Sequence, residues 1–328
     1  MKVFVTGGTG FIGANLIVKL LEKGYLVKAF VRKGSFHPFL KGLNVEFCEG
    51  DICDEQVLEK NIRGCDFVIN CAGLVSYSIK DKDNLFKINQ ESVKKISQIC
   101  LKLKIKKLVH LSSIAVFKVT NVPILLSEKD ACSFLKNDNY AKSKYFGELA
   151  ILNEVKKGLN AVIVRPSAVL GEGDLRGFAC KLIKLFTKYP VFVAPCGGTN
   201  IICISDLTEG IINALKNAKA GEIYNLTGIN ITYKELFERI SCVIRGNKKQ
   251  MIVLPKLVYY LANAILHILN FKEFKRARLL LTYLFNYRYI DNSKAINELD
   301  WVPNCDIDLA LSKAYSFYKL HKKNPQSL

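Results

Sequence analysis

A tyrosine and a lysine four residues apart, Tyr140 and Lys144, can do acid–base chemistry together. On a helix this spacing puts both side chains on one face, about 5 to 6 Å apart. A lysine ammonium beside a phenol is expected to lower the phenol's pKa from about 10 towards neutrality, so that the tyrosine can exchange a proton with a substrate oxygen. A hydroxyl at Ser113 would hold and polarise the same oxygen. These three side chains are the predicted catalytic group.

The spacing alone is weak evidence, because Tyr315 and Tyr318 are also followed by a lysine four residues on. The Tyr140 copy lies between the fifth and sixth predicted strands, and Ser112 and Ser113 stand at the carboxyl end of the fifth. Open parallel sheets bind their ligands at the carboxyl ends of the strands. The position favours catalysis, while the alternative, a serine that forms a turn and a tyrosine that packs in a core, stays open.

A glycine-rich turn, TGGTGFIG, lies between the first predicted strand and an amphipathic helix. Missing side chains let its backbone approach a pyrophosphate, whose charge the exposed N–H groups and the dipole of the helix N-terminus favour. The alternative, close packing of strand on helix, is less favoured because strand and helix flank the turn as a dinucleotide site requires. The predicted cofactor-binding residues of the turn are Gly7, Gly8, Thr9, Gly10, Phe11, Ile12 and Gly13.

The end of the second predicted strand carries Arg32 and Lys33 where an acid would select NAD by accepting hydrogen bonds from the adenosine ribose. Two cations suit a 2′-phosphate, so NADP is the preferred cofactor and NAD the alternative. Both could also be ordinary surface cations. Asp51, with Ile52 beside it, is predicted to meet the adenine edge after the third strand, and its alternative role is a helix N-terminal cap.

Short β-branched runs alternate with helical patterns along the first half of the chain, which predicts an α/β fold with a doubly wound parallel sheet, a Rossmann fold. We predict a dinucleotide-binding domain over 1–165, to which a seventh strand returns, and a smaller, mainly helical substrate lobe over 166–220 and 229–328. Thr232 and Glu235 have the spacing of a capping box. The predicted strands are 2–6, 25–32, 45–48, 66–73, 106–113, 160–166 and 221–228.

The composition, 50% hydrophobic, can fill a core and excludes an intrinsically disordered chain. The formal net charge is +19, but the lysines are dispersed instead of clustered with arginines and aromatics, so we expect no nucleic-acid partner. Eleven cysteines without a C-x-x-C pair favour a reducing compartment. Strand-like residues begin at Lys2, so we expect no targeting peptide and a cytoplasmic protein. No metal site is predicted.

The longest apolar stretch, 257–269, is too short to span a bilayer and suits a buried or interfacial helix. Residues 257–289 combine apolar runs with basic side chains, and two interpretations stay open. The helices pack on the core of the substrate lobe, or they rest on an anionic membrane and admit a lipid-like substrate. The basic residues concerned are Lys272, Lys275, Arg276, Arg278 and Arg288.

The sequence resembles the extended short-chain dehydrogenases/reductases, the NAD-dependent epimerases/dehydratases, over nearly its whole length. The resemblance rests on TGGTGFIG, GDICD, YAKSK, VRPSAVLGEGD, IICISDLTEGI and NSKAINELDWVP, and it is closest to bacterial dihydroflavonol-reductase-like and hopanoid-associated sugar epimerase-like proteins. It implies that Tyr140 is the acid/base, Lys144 its ribose-binding partner, Ser113 the hydroxyl partner and Asn89 a structural or proton-relay residue. It further implies that the cofactor is lined by Cys71, Ala72, Gly73, Ser112, Arg165, Pro166 and Ser167.

The resemblance leaves several activities to choose between. Ile114, Ala115 and Val116 follow Ser113 where a 4,6-dehydratase would carry an acid pair, which argues against dehydration. Our leading interpretation is an NADP-dependent reductase of a ketone or aldehyde, similar to dihydroflavonol reductases or hydroxysteroid dehydrogenases. The alternatives are an NAD-dependent sugar-nucleotide epimerase and a non-catalytic dinucleotide-binding sensor. A small-molecule carbonyl or sugar-nucleotide substrate, peripheral membrane contact and a homodimer are the expected partnerships.

Overall fold

The computed structural model describes residues 1–135, 137–247, 250–269, 274–304 and 306–321. In chain order its strands are β1 (Lys2–Thr6), β2 (Leu26–Val31), β3 (Glu46–Glu49), β4 (Phe67–Asn70), β5 (Lys107–Leu111), β6 (Leu125–Leu126), β7 (Ala161–Pro166), β8 (Ala168–Leu170), β9 (Val193–Pro195), β10 (Gly198–Cys203), β11 (Ile223–Leu226), β12 (Ile229–Thr232), β13 (Ile252–Leu254) and β14 (Tyr289–Ile290). The helices are α1 (Phe11–Glu22), α2 (Glu55–Ile62), α3 (Lys82–Phe86), α4 (Ser92–Lys102), α5 (Asn139–Val155), α6 (Phe178–Lys188), α7 (Ile204–Asn217), α8 (Tyr233–Arg245), α9 (Lys256–Ile268), α10 (Phe274–Leu284), α11 (Ser293–Leu299) and α12 (Ile307–His321).

Seven strands form the main sheet in the order β11-β7-β5-β4-β1-β2-β3, and every neighbouring pair is parallel. These are the seven predicted strands, so the predicted doubly wound sheet is confirmed. The chain runs outward from β1 in both directions, which opens a crevice at the carboxyl ends of β1 and β4. The strands predicted over 66–73, 106–113 and 221–228 were too long, and residues 71–73 and 112–113 instead form loops at the carboxyl ends of β4 and β5.

Alternate residues of β1 serve two hydrophobic cores on opposite faces of the sheet. Val3 and Val5 pack with α1 and α7 on one face, and Phe4 packs with α2 and α4 on the other. This alternation follows from the period of two in a strand. Because both faces are covered, β5 and β7 are buried at every position, as a parallel sheet requires.

The C-terminal lobe is helical, as predicted, but it also contains short strands that the sequence did not indicate. β12, β10 and β8 form a three-stranded sheet in which Gly198 pairs with Thr232, and two further strand pairs join β13 to β9 and β14 to β6. Such strands are stabilised by partners distant in sequence, so no local pattern marks them. Thr232 caps α8 by accepting a hydrogen bond from the Glu235 amide at 3.2 Å, as its spacing predicts.

Helix α7 lies within the segment predicted to belong to the substrate lobe, yet it packs beside α1 on the main sheet. α11 and Trp301 join the same core. The hydrophobic core of the C-terminal lobe itself is formed mainly by α6, α8 and α12. Within the described ranges, no helix combines the length and apolarity needed to cross a bilayer.

Candidate active site

The glycine turn has the shape that a dinucleotide pyrophosphate needs. Gly7 has a φ of +65°, and a Cβ there would lie 2.9 Å from the backbone of Ala72. A Cβ at Gly13 would collide with the Gly7 carbonyl oxygen. Gly10 is the N-cap of α1 and supplies no side-chain hydrogen bond to the N–H groups of the first turn, which leaves them for a ligand. The turn therefore fits a dinucleotide.

Arg32 and Lys33 follow β2 and are exposed beside this turn. The Ser35 hydroxyl donates to the Arg32 carbonyl oxygen at 2.7 Å and accepts from the Thr9 hydroxyl at 3.0 Å, which joins the basic loop to the glycine turn. In the described part of the chain neither Arg32 nor Lys33 forms an ion pair. Both cations are therefore free to meet an anionic group at the adenosine end.

Carboxylates also lie at this end. The Glu49 carboxylate, which sequence reasoning missed, accepts a hydrogen bond from the Gly34 amide at 3.3 Å. Asp51 is exposed, and its Oδ1 accepts from the Cys53 amide at 2.9 Å. The alternative role for Asp51 as a helix cap is wrong, because Asp54 caps α2. The contact of Asp51 with adenine stays a prediction.

Tyr140 stands in the first turn of α5, where Asp138 caps the helix by accepting a hydrogen bond from the Ala141 amide at 3.0 Å. Its side chain is almost fully buried, 7% exposed, and burial raises the pKa of the phenol. The Ser113 hydroxyl is close enough to lower that pKa by hydrogen bonding, but its effect is smaller than that of burial. The predicted lowering by Lys144 is therefore wrong.

Lys144 does not direct its ammonium at the phenol. Its Nζ donates to the Leu111 carbonyl oxygen at 2.8 Å, and a Cβ at Gly73 would lie 3.0 Å from Nζ. Burial lowers the pKa of Lys144 to about 8, against the opposing charge of Glu148. The ammonium thus faces the loop after β4.

Asn89 has a structural role. It is fully buried in a π-helical turn, Lys87–Glu91, between α3 and α4. Its side-chain amide exchanges two hydrogen bonds with the Leu74 backbone, at 2.8 and 2.9 Å, and donates to the Ser143 hydroxyl at 3.0 Å. Asn89 therefore fixes the loop after β4 against α5. π-Turns often occur at functional sites, and no sequence pattern announced this one.

Ser112 and Arg165 take part in a buried ion-pair network that sequence reasoning missed, while their contacts with the cofactor stay a prediction. The Arg165 guanidinium lies 2.6 Å from the Glu148 carboxylate and 4.9 Å from the centre of the Phe117 ring. The Ser112 hydroxyl donates to the same carboxylate at 2.5 Å. Glu148 lies one helical turn beyond Lys144, so the spacing of α5 was its available signal. These contacts tie β5 and β7 to the catalytic helix.

The remaining predicted cofactor residues lie at the rim of the crevice. The Ala72 amide donates to the Thr6 hydroxyl at 3.2 Å, which sets its backbone against Gly7. Burial raises the pKa of the Cys71 thiol to about 12, so it is no nucleophile at neutral pH. Pro166 ends β7, and Ser167 follows with a buried hydroxyl that has no partner in the described part of the chain.

An aromatic wall, which sequence reasoning missed, faces Tyr140. The Tyr77 ring lies 5.9 Å from the Tyr140 ring and 6.0 Å from the Tyr283 ring, edge to face with both. The Tyr283 hydroxyl donates to Asp138, so α10 reaches the cap of the catalytic helix. The Arg288 guanidinium lies 4.4 Å from the centre of the Tyr283 ring. The aromatic wall thus places two further tyrosine rings and one cation beside Tyr140.

Comparisons with known proteins agree with this geometry. Residues 3–227 match the model of the NAD dependent epimerase/dehydratase family. A Synechocystis sp. protein provisionally named a dihydroflavonol 4-reductase is 30% identical over 246 residues, 73% of this chain and 71% of that protein. Sterol demethylase protein B of Methylococcus capsulatus is 26% identical over 313 residues, 92% of this chain and 94% of that protein.

Among solved structures, gox2253 superposes with a TM-score of 0.85 at 25% identity, covering 97% of this chain and 98% of the other. The similarity thus extends through both the main sheet and the C-terminal lobe. The family match, the named relatives and the glycine turn agree on one assignment. The chain belongs to the NAD dependent epimerase/dehydratase family of extended short-chain dehydrogenases/reductases, and it is an NAD(P)-dependent oxidoreductase.

Proposed function

We propose that this enzyme reduces a ketone or aldehyde with NADPH and that Tyr140 donates the proton. The observation that carries the proposal is a buried phenol beside the Ser113 hydroxyl, with the Lys144 ammonium on the cofactor side and a glycine turn that fits a dinucleotide. A phenol with a raised pKa stays protonated at neutral pH. That state suits a proton donor.

A nicotinamide dinucleotide, when bound, supplies the hydride. The residues of the chain do the rest. Ser113 donates a hydrogen bond to the carbonyl oxygen and polarises it, and Tyr140 gives that oxygen a proton as its negative charge develops. Lys144, whose ammonium faces the loop after β4, would hold a ribose hydroxyl of the bound dinucleotide. Asn89 keeps the loop over the ribose in position through its bonds to Leu74.

The preference for NADP rests on Arg32 and Lys33, which are exposed at the adenosine end. A guanidinium matches a 2′-phosphate with paired hydrogen bonds. Glu49 supports the opposite preference, because a carboxylate near the same loop can accept from a ribose hydroxyl. We favour NADP because two cations follow the end of β2 and only this one acid lies opposite it.

The substrate we propose is a lipid-like carbonyl compound. The Tyr77 and Tyr283 rings beside Tyr140 suit contact with an apolar substrate, whereas a sugar nucleotide would need many polar partners. The name of the Methylococcus capsulatus relative, sterol demethylase protein B, indicates apolar chemistry in a protein of similar length. A sugar-nucleotide epimerase remains the competing activity, and the homodimer stays a prediction.

The test compares Tyr140→Phe with Tyr145→Phe, the same change on the same helix at a ring that packs on Phe134 and Phe146 outside the predicted catalytic group. We expect Tyr140→Phe to lower kcat for carbonyl reduction by about 10² to 10⁴, with dinucleotide affinity preserved, and Tyr145→Phe to stay near wild type. Turnover is followed by NADPH absorbance over a panel of ketones and aldehydes. Full activity in Tyr140→Phe would remove the mechanism, and conversion of a UDP-sugar without net NADPH loss would favour the epimerase.

A further inference from the structure

Helix α9 turns an apolar stripe towards solvent. Leu257, Leu261, Ile265 and Ile268 recur at helical spacing, and they are 63%, 58%, 57% and 81% exposed. No residue of α9 is buried. An amphipathic helix of a globular protein ordinarily packs such a stripe on its core. On α9 the apolar stripe instead faces solvent.

The stripe continues onto the strand that leads into α9. Ile252 and Val253 of β13 are 67% and 41% exposed, and Val193 of the paired strand β9 is 42% exposed. We call these residues together the apolar face: Val193, Ile252, Val253, Leu257, Leu261, Ile265 and Ile268. A contiguous exposed patch of this kind marks an interaction surface.

Contacts on the other side of α9 fix this orientation. The Asn263 side chain accepts a hydrogen bond from Arg278 Nε of α10 at 2.8 Å. The Tyr259 ring stacks on Phe285 at 5.8 Å, and its hydroxyl lies 3.4 Å from the Thr282 hydroxyl. The polar and aromatic side therefore faces the protein, and rotating the apolar face inward would break these contacts.

The chain around the apolar face is basic. No acidic residue occurs between Asp174 and Asp206 or between Glu238 and Glu273. Apart from Arg239, which is paired with Glu235 and Asp308, the basic side chains of the described parts of these two segments and of the start of α10 are Arg176, Lys181, Lys184, Lys188, Arg245, Lys256, Lys275 and Arg276. Two copies of the chain meeting through this face would bring cations against cations. An anionic surface would instead be attracted.

We propose that the apolar face docks the protein on an anionic lipid bilayer, with α9 lying in the interface. Apolar side chains enter the acyl boundary while the flanking lysines and arginines meet lipid phosphates. This choice agrees with the second interpretation of residues 257–289. Of the basic residues that the sequence offered for this interpretation, Lys272 lies outside the described residues. Arg278 bonds to Asn263 and Arg288 lies over the Tyr283 ring, so both make contacts within the protein.

The docked orientation would connect the membrane to the catalytic pocket, and this part rests on the proposed function. α10 packs on the inner side of α9, and its Tyr283 bonds the cap of the catalytic helix at Asp138. A ketone carried by the bilayer would enter beneath this helical pair and reach Tyr140. The substrate class that follows is a membrane-resident amphiphile with a carbonyl group.

The test is co-sedimentation of the full chain with vesicles of phosphatidylcholine alone or of equal parts phosphatidylcholine and phosphatidylglycerol. The face variant is Leu261→Ser with Ile265→Ser. Its matched control is Val302→Ser with Leu309→Ser, which are 64% and 52% exposed elsewhere on the surface. We expect preferential binding to the anionic vesicles that added salt weakens, and a loss of about tenfold or more in the face variant but not in the control.

Three results would overturn the proposal: equal binding to both kinds of vesicle, face-variant binding equal to wild type, or a wild-type dimer that the face variant converts to monomer without any vesicle binding. The last result would assign the apolar face to a second copy of the chain. The assay contains neither dinucleotide nor carbonyl compound. Tyr140→Phe must therefore bind vesicles like wild type, and failure of the proposed chemistry leaves the membrane result intact.

Discussion

Replacing Glu148 by glutamine removes a charge from the interior while keeping the shape of the side chain. The Glu148 and Arg165 side chains are 2% and 3% exposed, and Arg165 Nη1 already lacks a hydrogen-bond partner in the described part of the chain. The substitution therefore leaves a buried guanidinium without its counter-ion. Breaking such a pair from one side costs about 3 to 5 kcal/mol, and the retained amide oxygen favours the lower end of this range.

The assay is urea unfolding at neutral pH, with the free energy of unfolding compared at equal m-values. Glu148→Gln is expected to lose about 3 kcal/mol. The double variant Glu148→Gln with Arg165→Met should recover most of this loss, because no buried charge remains. As a matched control, Glu235→Gln breaks the exposed pair with Arg239 and should cost at most about 1 kcal/mol. A loss in Glu148→Gln no greater than that of the control, or a double variant as unstable as the single, would refute the reasoning.

Three further predictions concern the cofactor end of the site. Arg32→Ala should lower the affinity for NADPH by about 1.5 to 3 kcal/mol and leave NADH unchanged in calorimetric titration; equal losses would show that Arg32 does not contact a 2′-phosphate. Because burial lowers the pKa of Lys144 to about 8, its ammonium is lost as the pH rises through that value, so kcat/KM for reduction should fall there. Glu148 opposes this lowering, so Glu148→Gln should move the fall to lower pH, and an unmoved profile in stopped-flow assays would contradict the assignment. Gly13→Ala should abolish dinucleotide binding in the same titrations, because the added Cβ meets the Gly7 carbonyl oxygen; wild-type affinity would rule out the turn as the pyrophosphate site.

The main sheet and the catalytic helix could be predicted because their signals are local. Buried β-branched runs, and a glycine turn between a strand and a helix, are recognised from residues that are neighbours in sequence. The position of Tyr140 between two predicted strands then indicates the edge of the sheet at which the strands have their carboxyl ends. The direction of Lys144 could not be predicted. Its ammonium is captured by the Leu111 carbonyl oxygen, 33 residues earlier in the chain.

The unpredicted parts of the site join distant segments. Tyr283 reaches Asp138 across 145 positions, and Arg165 reaches Glu148 from a different element of the fold. No residue pattern in the sequence marks the π-turn at Asn89. The turn depends on the close crossing with α5 at Gly147, where a Cβ would collide with the Asn89 carbonyl oxygen. Tertiary contacts of this kind leave no periodic pattern in the sequence.

The central claim is carbonyl reduction with a proton from Tyr140, and isotope transfer tests it most directly. NADPH deuterated at the nicotinamide C4 position is incubated with the enzyme and a reducible ketone, and the product is analysed by mass spectrometry. The account predicts an alcohol that carries deuterium at the carbinol carbon, formed by wild type and by Tyr145→Phe but not by Tyr140→Phe. An alcohol without deuterium, or equal labelling by Tyr140→Phe, would contradict it.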